Sequence, residues 1–368
     1  MTKTLAAAFI GIMIRAFPVN GKARITSDTL LYKTESVHFC NTDSSIYFGG
    51  TLLLPAPDRQ NPVVIFVSGT GKQDRDGTMA GHKMFKTIAE YLAQKGIASL
   101  RTDDRGAGET SGVYEDATTA DFANDVLTAI DFLKSRPDID PKNIGLIGHS
   151  EGGAVIAIAA SKSPDVAFLV SLAGLASNGL DALQAQNRNL VENSTIPDYD
   201  KKRSNEINKL MFETAYRYAD SDSLEQKLKE TYTRWKIKDD DYFKSLNIEF
   251  DHFRFPIYAY VQTATRPWYR YFVRFNPEKF VSKIKIPVLA LNGDKDIMVP
   301  CNVNLKNWKM YLKKGGNTDI TIEVLPGLNH LFLPCKTCSP QEYTQLKEEF
   351  SPLALHIIGD WIVRHLEK

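Results

Sequence analysis

Apolar positions along this chain alternate between two rhythms from about residue 60 to residue 174. Residues 63–67 (Val-Val-Ile-Phe-Val), 97–100, 143–147 and 167–174 are short apolar runs. Strands read this way when helices cover both faces of a sheet. Between the runs, apolar residues recur at helical spacing, with Phe85, Ile88, Ala89 and Leu92 in residues 82–94, then Phe122, Val126, Ile130 and Leu133 ahead of Pro137. Thr119 or Asp121 is placed to cap the second of these helices. Alternation at this interval predicts an α/β fold with a mostly parallel central sheet flanked by helices. Ahead of it, residues 35–55 read as an antiparallel hairpin at a sheet edge, broken at Pro55 and Pro57.

The pattern changes at residue 176. Up to 283 the chain is polar and helix-periodic, with no run like the earlier ones, and predicts a helical cap inserted before the penultimate core strand. Its last part is aromatic, and Trp268, Tyr269 and Phe272 are candidate pocket-wall residues, since binding pockets are mostly apolar. The core resumes over 284–368, with strands at 286–293 and 320–325, a helix at 303–312, and a last helix at 352–366 that carries Leu353, Leu355, Ile358, Trp361 and Ile362. The expected division is therefore a core at 24–175, a cap at 176–283 and the rest of the core at 284–368.

Residues 143–160 carry the chemistry. An apolar run rises to Gly148-His149-Ser150-Glu151-Gly152, and a small-residue helix follows at once. This Gly-x-Ser-x-Gly pattern, placed between strand and helix, holds a serine on a strained turn and lifts its hydroxyl clear of the sheet. The Gly-rich loop at 68–77 follows the 63–67 strand and lacks the Gly-Lys-Ser/Thr of a phosphate loop. It is the source of a second oxyanion N–H, from Thr70 with Gly71 as rival; the first is the Glu151 N–H. The Glu151 side chain is expected at the entrance or in solvent. Asp103, Asp104 and Arg105 are expected to brace their loop through a salt bridge.

A serine hydroxyl needs a base to take its proton, and the imidazole that does so needs a carboxylate to fix its tautomer. With the serine on such a turn, acid and base follow it in chain order, after the last two strands. Asp296 and His330 occupy those places, with Asp294 the rival acid. His38, His82, His149, His252, His356 and His365 lie in the hairpin, early helix, elbow, cap or last helix and compete poorly.

Composition adds mainly exclusions. The 368 residues are 43% hydrophobic and 24% charged, with a formal net charge of +1. Nothing there points to nucleic acid or to an anionic membrane surface as partner. Lys3, the apolar run 5–14 and Gly21-Lys22-Ala23 read as a secretory signal over 1–23, too short to span a bilayer. The expected location is periplasmic or secreted, with no stable membrane insertion once the signal is removed. Four cysteines are present, and Cys335-x-x-Cys338 is open to a local bridge, a link to Cys301, or free thiols.

Gly148-His-Ser-Glu-Gly152, Asp103-Asp-Arg-Gly106, Gly293-Asp-Lys-Asp296 and Gly327-Leu-Asn-His330 together resemble the α/β-hydrolase superfamily. Within it the chain is similar to secreted bacterial serine esterases, grouped with dienelactone-hydrolase-like and serine aminopeptidase-like or prolyl-oligopeptidase-like hydrolases. The resemblance implies no cofactor and no metal. It departs from dienelactone hydrolases proper, which use a cysteine nucleophile, and from lipases with a His-Gly-Gly-Gly loop. The expected activity is hydrolysis of small or medium acyl or aryl esters by Ser150, Asp296 and His330. The alternative is a peptidase on short peptides, anchored by Glu192, Glu206, Glu213 or Asp251; a silent binding protein is a third reading.

Overall fold

A computed structural model describes residues 32–56 and 58–366; the predicted signal over 1–23 lies outside the described residues. Strands β1 (Lys33–Cys40) and β2 (Tyr47–Leu54) form the edge hairpin, and β3 (Asn61–Val67) starts the parallel part of the sheet. A two-strand ribbon, β4 (Thr78–Met79) and β5 (His82–Lys83), precedes helix α1 (Met84–Gln94). His82 therefore does not open α1; it sits in the ribbon, its Nε2 2.8 Å from the Tyr343 carbonyl. Next come β6 (Ala98–Thr102), α2 (Thr119–Lys134), β7 (Ile139–His149), α3 (Glu151–Ala160) and β8 (Phe168–Leu172). The cap of α2 is neither Thr119 nor Asp121 but Thr118, whose hydroxyl accepts the Asp121 N–H while the Asp121 carboxylate accepts the Thr118 N–H. That reciprocal pair satisfies two backbone donors that a helix start leaves open.

Helices α4 (Gly179–Glu192), α5 (Asp198–Tyr218), α6 (Leu224–Ser245), α7 (Ile257–Ala264), α8 (Pro267–Val273) and α9 (Glu278–Val281) follow before the chain returns to the sheet. They are the helical cap inserted before the penultimate core strand. The core closes with β9 (Val288–Gly293), α10 (Cys301–Lys314), β10 (Ile320–Leu325), α11 (Pro340–Tyr343) and α12 (Pro352–Leu366). No helix among the described residues is long and apolar enough to cross a membrane.

The eight-stranded sheet has the order β1-β2-β6-β3-β7-β8-β9-β10, antiparallel from β1 to β6 and parallel beyond. Successive residues of β3 enter different cores. Val63, Ile65 and Val67 join the core on the side of α2 and α3, whereas Val64 and Phe66 join the one on the side of α1 and α12. This is why the strand reads as continuously apolar rather than alternating. The cap has a core of its own around Ile207, Met211, Phe212, Leu228 and Trp235. From β3 the chain goes to β6 on one side, then returns to β7 on the other. Ligands in such sheets bind outside the carboxyl ends of the strands at this reversal, where the loop after β3 meets the turn after β7.

Candidate active site

Ser150 sits on the turn from β7 to α3 with φ 55° and ψ −121°. Three fixed contacts hold it there: its N–H donates to Leu172 O at 3.0 Å, and its carbonyl accepts from Gly153 N at 3.0 Å and Leu175 N at 2.8 Å. The glycines are steric requirements. A Cβ on Gly148 would lie 2.3 Å from Gly152 O, and one on Gly152 would lie 2.3 Å from Val67 O. A non-glycine residue at positive φ is tolerated only where its surroundings over-determine it, and such places concentrate at functional sites.

His330 Nδ1 lies 2.8 Å from Asp296 Oδ2, and both side chains are buried. With Nδ1–H donating to the carboxylate, Nε2 is left as the basic nitrogen. Asp296 is itself held firmly: Oδ1 accepts from Met298 N at 2.8 Å and Val299 N at 2.9 Å, and Oδ2 from Asn292 Nδ2 at 3.1 Å. Asn292 accepts from Asn304 Nδ2 at 2.9 Å, and Asn304 bonds Gly174 O and Ala176 N. The rival Asp294 instead accepts the Gly327 N–H at 2.6 Å and does not reach the imidazole. His149 packs against His330, ring centres 4.6 Å apart, its Nε2 2.9 Å from the His330 carbonyl. Burial first, and the His330 charge second, hold its pKa down to about 3, so it stays neutral and donates to that carbonyl.

Ser150, His330, Thr70 and Glu151 border one cavity of about 280 Å³, closed by Leu183, Trp268, Phe272 and Met298 among others. Of the two N–H groups in question on the loop after β3, that of Gly71 is taken: it donates to the Tyr114 hydroxyl at 2.7 Å. Thr70 is the remaining candidate, beside the Glu151 N–H that opens α3.

Two expectations need correction. The Glu151 side chain is neither solvated nor at an entrance. It is 3% exposed and accepts from Thr70 Oγ1 at 2.7 Å, Thr119 Oγ1 at 2.7 Å and Trp268 Nε1 at 2.8 Å. Burial pushes its pKa up, with the three donors opposing. One carboxylate thus ties the loop after β3, α2 and the cap to the turn that carries Ser150. Tyr269 is not a wall residue: it lies in the cap's core and shares a hydrogen bond of 2.8 Å with the Tyr260 hydroxyl. Trp268 and Phe272, four residues apart on α8, do line the cavity.

The Asp103–Arg105 segment braces the site, though not by pairing within itself. Asp103 pairs with Arg75, and Arg105 grips Asp125 with two bonds of 2.7 Å. Asp104 has no salt-bridge partner among the described residues. It accepts from Ser68 Oγ at 2.6 Å and Gln73 N at 2.8 Å, which pins the first half of the loop after β3. Burial foremost, with the charges of Glu151 and Asp103 adding to it, pushes its pKa up to about 7 despite those two donors.

Cys335 and Cys338 form the local disulfide, in the loop that follows His330, and Cys40 and Cys301 are free. Asn292, Asn304 and Tyr114 carry no site role in the sequence pattern, and Thr119 reads there only as a helix cap. A polar Asn292 ending the apolar run of β9 was the one available signal.

Residues 49–327 match the family model of X-Pro dipeptidyl-peptidase (S15 family). The chain belongs to the S15 family. It is also 24% identical over 319 residues to esterase EstD of Thermotoga maritima, an alignment covering 86% of this chain and 65% of that protein. The chain thus spans somewhat under two thirds of that relative's length. Among solved structures, the α/β hydrolase GrgF of a Penicillium species aligns with TM-score 0.53 at 18% identity, over 91% of this chain and 100% of that one. An esterase of Pyrococcus furiosus aligns with TM-score 0.52 at 15% identity, over 90% and 91%. The fold is that of the α/β-hydrolases.

Proposed function

We propose that the protein hydrolyses neutral carboxylic esters of small or medium acyl or aryl groups through Ser150, His330 and Asp296. His330 Nε2 takes the proton as Ser150 Oγ attacks the ester carbonyl, and Asp296 stabilises the imidazolium. The N–H groups of Thr70 and Glu151 receive the oxyanion, each worth about 3 kcal/mol in comparable sites. The proton passes from His330 to the departing alkoxide, and water activated by the same imidazole then cleaves the acyl-enzyme.

The observation that carries the ester reading is the charge of the cavity wall. Among the described residues Glu151 is the only carboxylate on that wall, and it is buried under three donors. A peptidase that reads a free amino terminus needs an exposed anionic anchor there. Glu192, Glu206, Glu213 and Asp251 all lie off the cavity. Asp251 is moreover held by Arg203 at 2.8 Å, alongside Asp200 and Asp239. The relation to an esterase supports the same reading. The second reading, cleavage after X-Pro, rests on the family match. Export through the leader pattern at 1–23 is part of the proposal.

The two readings separate by kcat/KM on p-nitrophenyl butanoate and on Gly-Pro p-nitroanilide. The ester reading expects turnover of the first and none measurable of the second. Anilide hydrolysis that rivals the ester rate overturns it.

A further inference from the structure

The polar atoms around the cavity divide into those already committed and those left free. The Thr70 hydroxyl and the Trp268 indole N–H are committed to Glu151, and Glu151 to them. The His149 Nε2–H is committed to the His330 carbonyl. Apart from Ser150 and His330 themselves, two flexible polar side chains remain. Gln73, on the loop after β3, is 9% exposed, and its carboxamide bonds to none of the described residues. Its oxygen is wholly buried without a partner. Gln186, on α4 of the cap, has only Met298 Sδ at 3.9 Å. The other unpartnered lining atom, His149 Nδ1, belongs to a packed ring that cannot turn. A carboxamide can rotate about its last torsion and present either its donor or its acceptor end.

A buried amide without a partner is costly, and Gln73 bears that cost beside a cavity that half-buried Gln186 also borders, so a ligand there can supply the missing bonds. The remaining wall is apolar: Met79, Leu175, Leu183, Trp268, Phe272 and Met298. Resting on the ester reading above, we propose that Gln73 and Gln186 are specificity-determining residues for a polar group on the substrate. The substrate class is a neutral ester whose apolar acyl part carries a group that both gives and takes a hydrogen bond, a hydroxyl or an amide. A purely aliphatic acyl chain of the same shape leaves both carboxamides unpaired, and sites built around hydrogen bonds discriminate against such analogues.

Two matched pairs of ethyl esters test this, followed by proton release at constant pH. Ethyl 3-hydroxybutanoate against ethyl 3-methylbutanoate replaces a methyl by a hydroxyl. Ethyl N-acetylglycinate against ethyl 4-methylpentanoate replaces an alkyl segment by an amide. At least one polar member is expected to exceed its alkyl partner about tenfold in kcat/KM, and which pair does so tells hydroxyl from amide. In Gln73→Leu and Gln186→Leu that ratio is expected to fall towards one. A ratio does not depend on how much of a variant folds, so partial loss of active protein does not blur the reading. Turnover of all four esters with no preference, or a preference that survives both substitutions, overturns the subsite and leaves the ester reading standing. No turnover of any of the four, with Gly-Pro p-nitroanilide cleaved, overturns both.

Discussion

Asp104 offers the sharpest physical prediction, because its position imposes a cost that pH can switch. Its carboxylate pins Ser68 and Gln73 yet has no cation beside it, and its pKa is pushed up to about 7. The folded protein therefore holds this proton more tightly than the unfolded chain, where an aspartate titrates near 3.8. The sign follows from that difference: stability from this group is full below about pH 3.8, then lost as pH rises towards 7. Three pKa units correspond to at most about 4 kcal/mol above pH 7, and the residue's remaining exposure to water lowers that figure. Asp104→Asn removes the ionisation and keeps the geometry, since its oxygen can accept the Gln73 N–H while its NH₂ donates to the Ser68 hydroxyl. The variant should be more stable than the parent at neutral pH. Its advantage should grow by up to about 2–3 kcal/mol between pH 5 and pH 8. Urea unfolding of both proteins across that range gives the difference directly, with other carboxylates cancelling. An advantage that is flat with pH would refute the reasoning, as would one that shrinks towards pH 8.

Two further substitutions probe the framework around the triad. Asn292→Leu takes a donor from Asp296 and an acceptor from the buried Asn304. It should cost about 2–4 kcal/mol in urea unfolding and lower kcat more than it changes KM; equal kcat would show that Asp296 is positioned without it. Trp268→Phe removes one of the three donors to the buried Glu151 carboxylate. A loss of about 1.5–3 kcal/mol is expected, read as a lower thermal midpoint, together with a raised KM for esters; a variant as stable as the parent would show that Thr70 and Thr119 suffice.

The strands and helices of the core were legible because their spacing reports burial directly. Val63 to Val67 face helices on both sides, and Ile358, Trp361 and Ile362 mark a one-sided helix, whereas Leu353, expected on the same side, is exposed because it lies at the helix's first turn. The His330–Asp296 pair was legible through chain order, both residues lying just beyond the last two strands. What escaped the sequence were partnerships across long separations. Glu151 reads as a solvated charge beside its neighbours, and its three donors stand 81, 32 and 117 residues away. No local pattern announces them. Tyr269 could have been separated from Trp268 and Phe272, since one step along a helix turns a side chain by about 100° whereas four steps bring it back to one face. Thr118 was equally readable as a cap, because Thr118-x-x-Asp121 is the reciprocal pattern and Thr119 is not part of it. Gly71 and Thr70 could not be told apart, as the hydroxyl that occupies Gly71 comes from Tyr114, 43 residues on.

The proposed hydrolysis requires Ser150 as its nucleophile. Mass mapping after reaction with a fluorophosphonate, run beside p-nitrophenyl butanoate turnover, addresses it directly. One adduct is expected, on the peptide containing Ser150, with turnover lost in step with labelling. In Ser150→Ala both adduct and turnover should vanish, and in His330→Ala labelling should slow by orders of magnitude. Ester turnover that persists in a folded Ser150→Ala protein, or an adduct on another residue that tracks the loss of activity, would contradict the account.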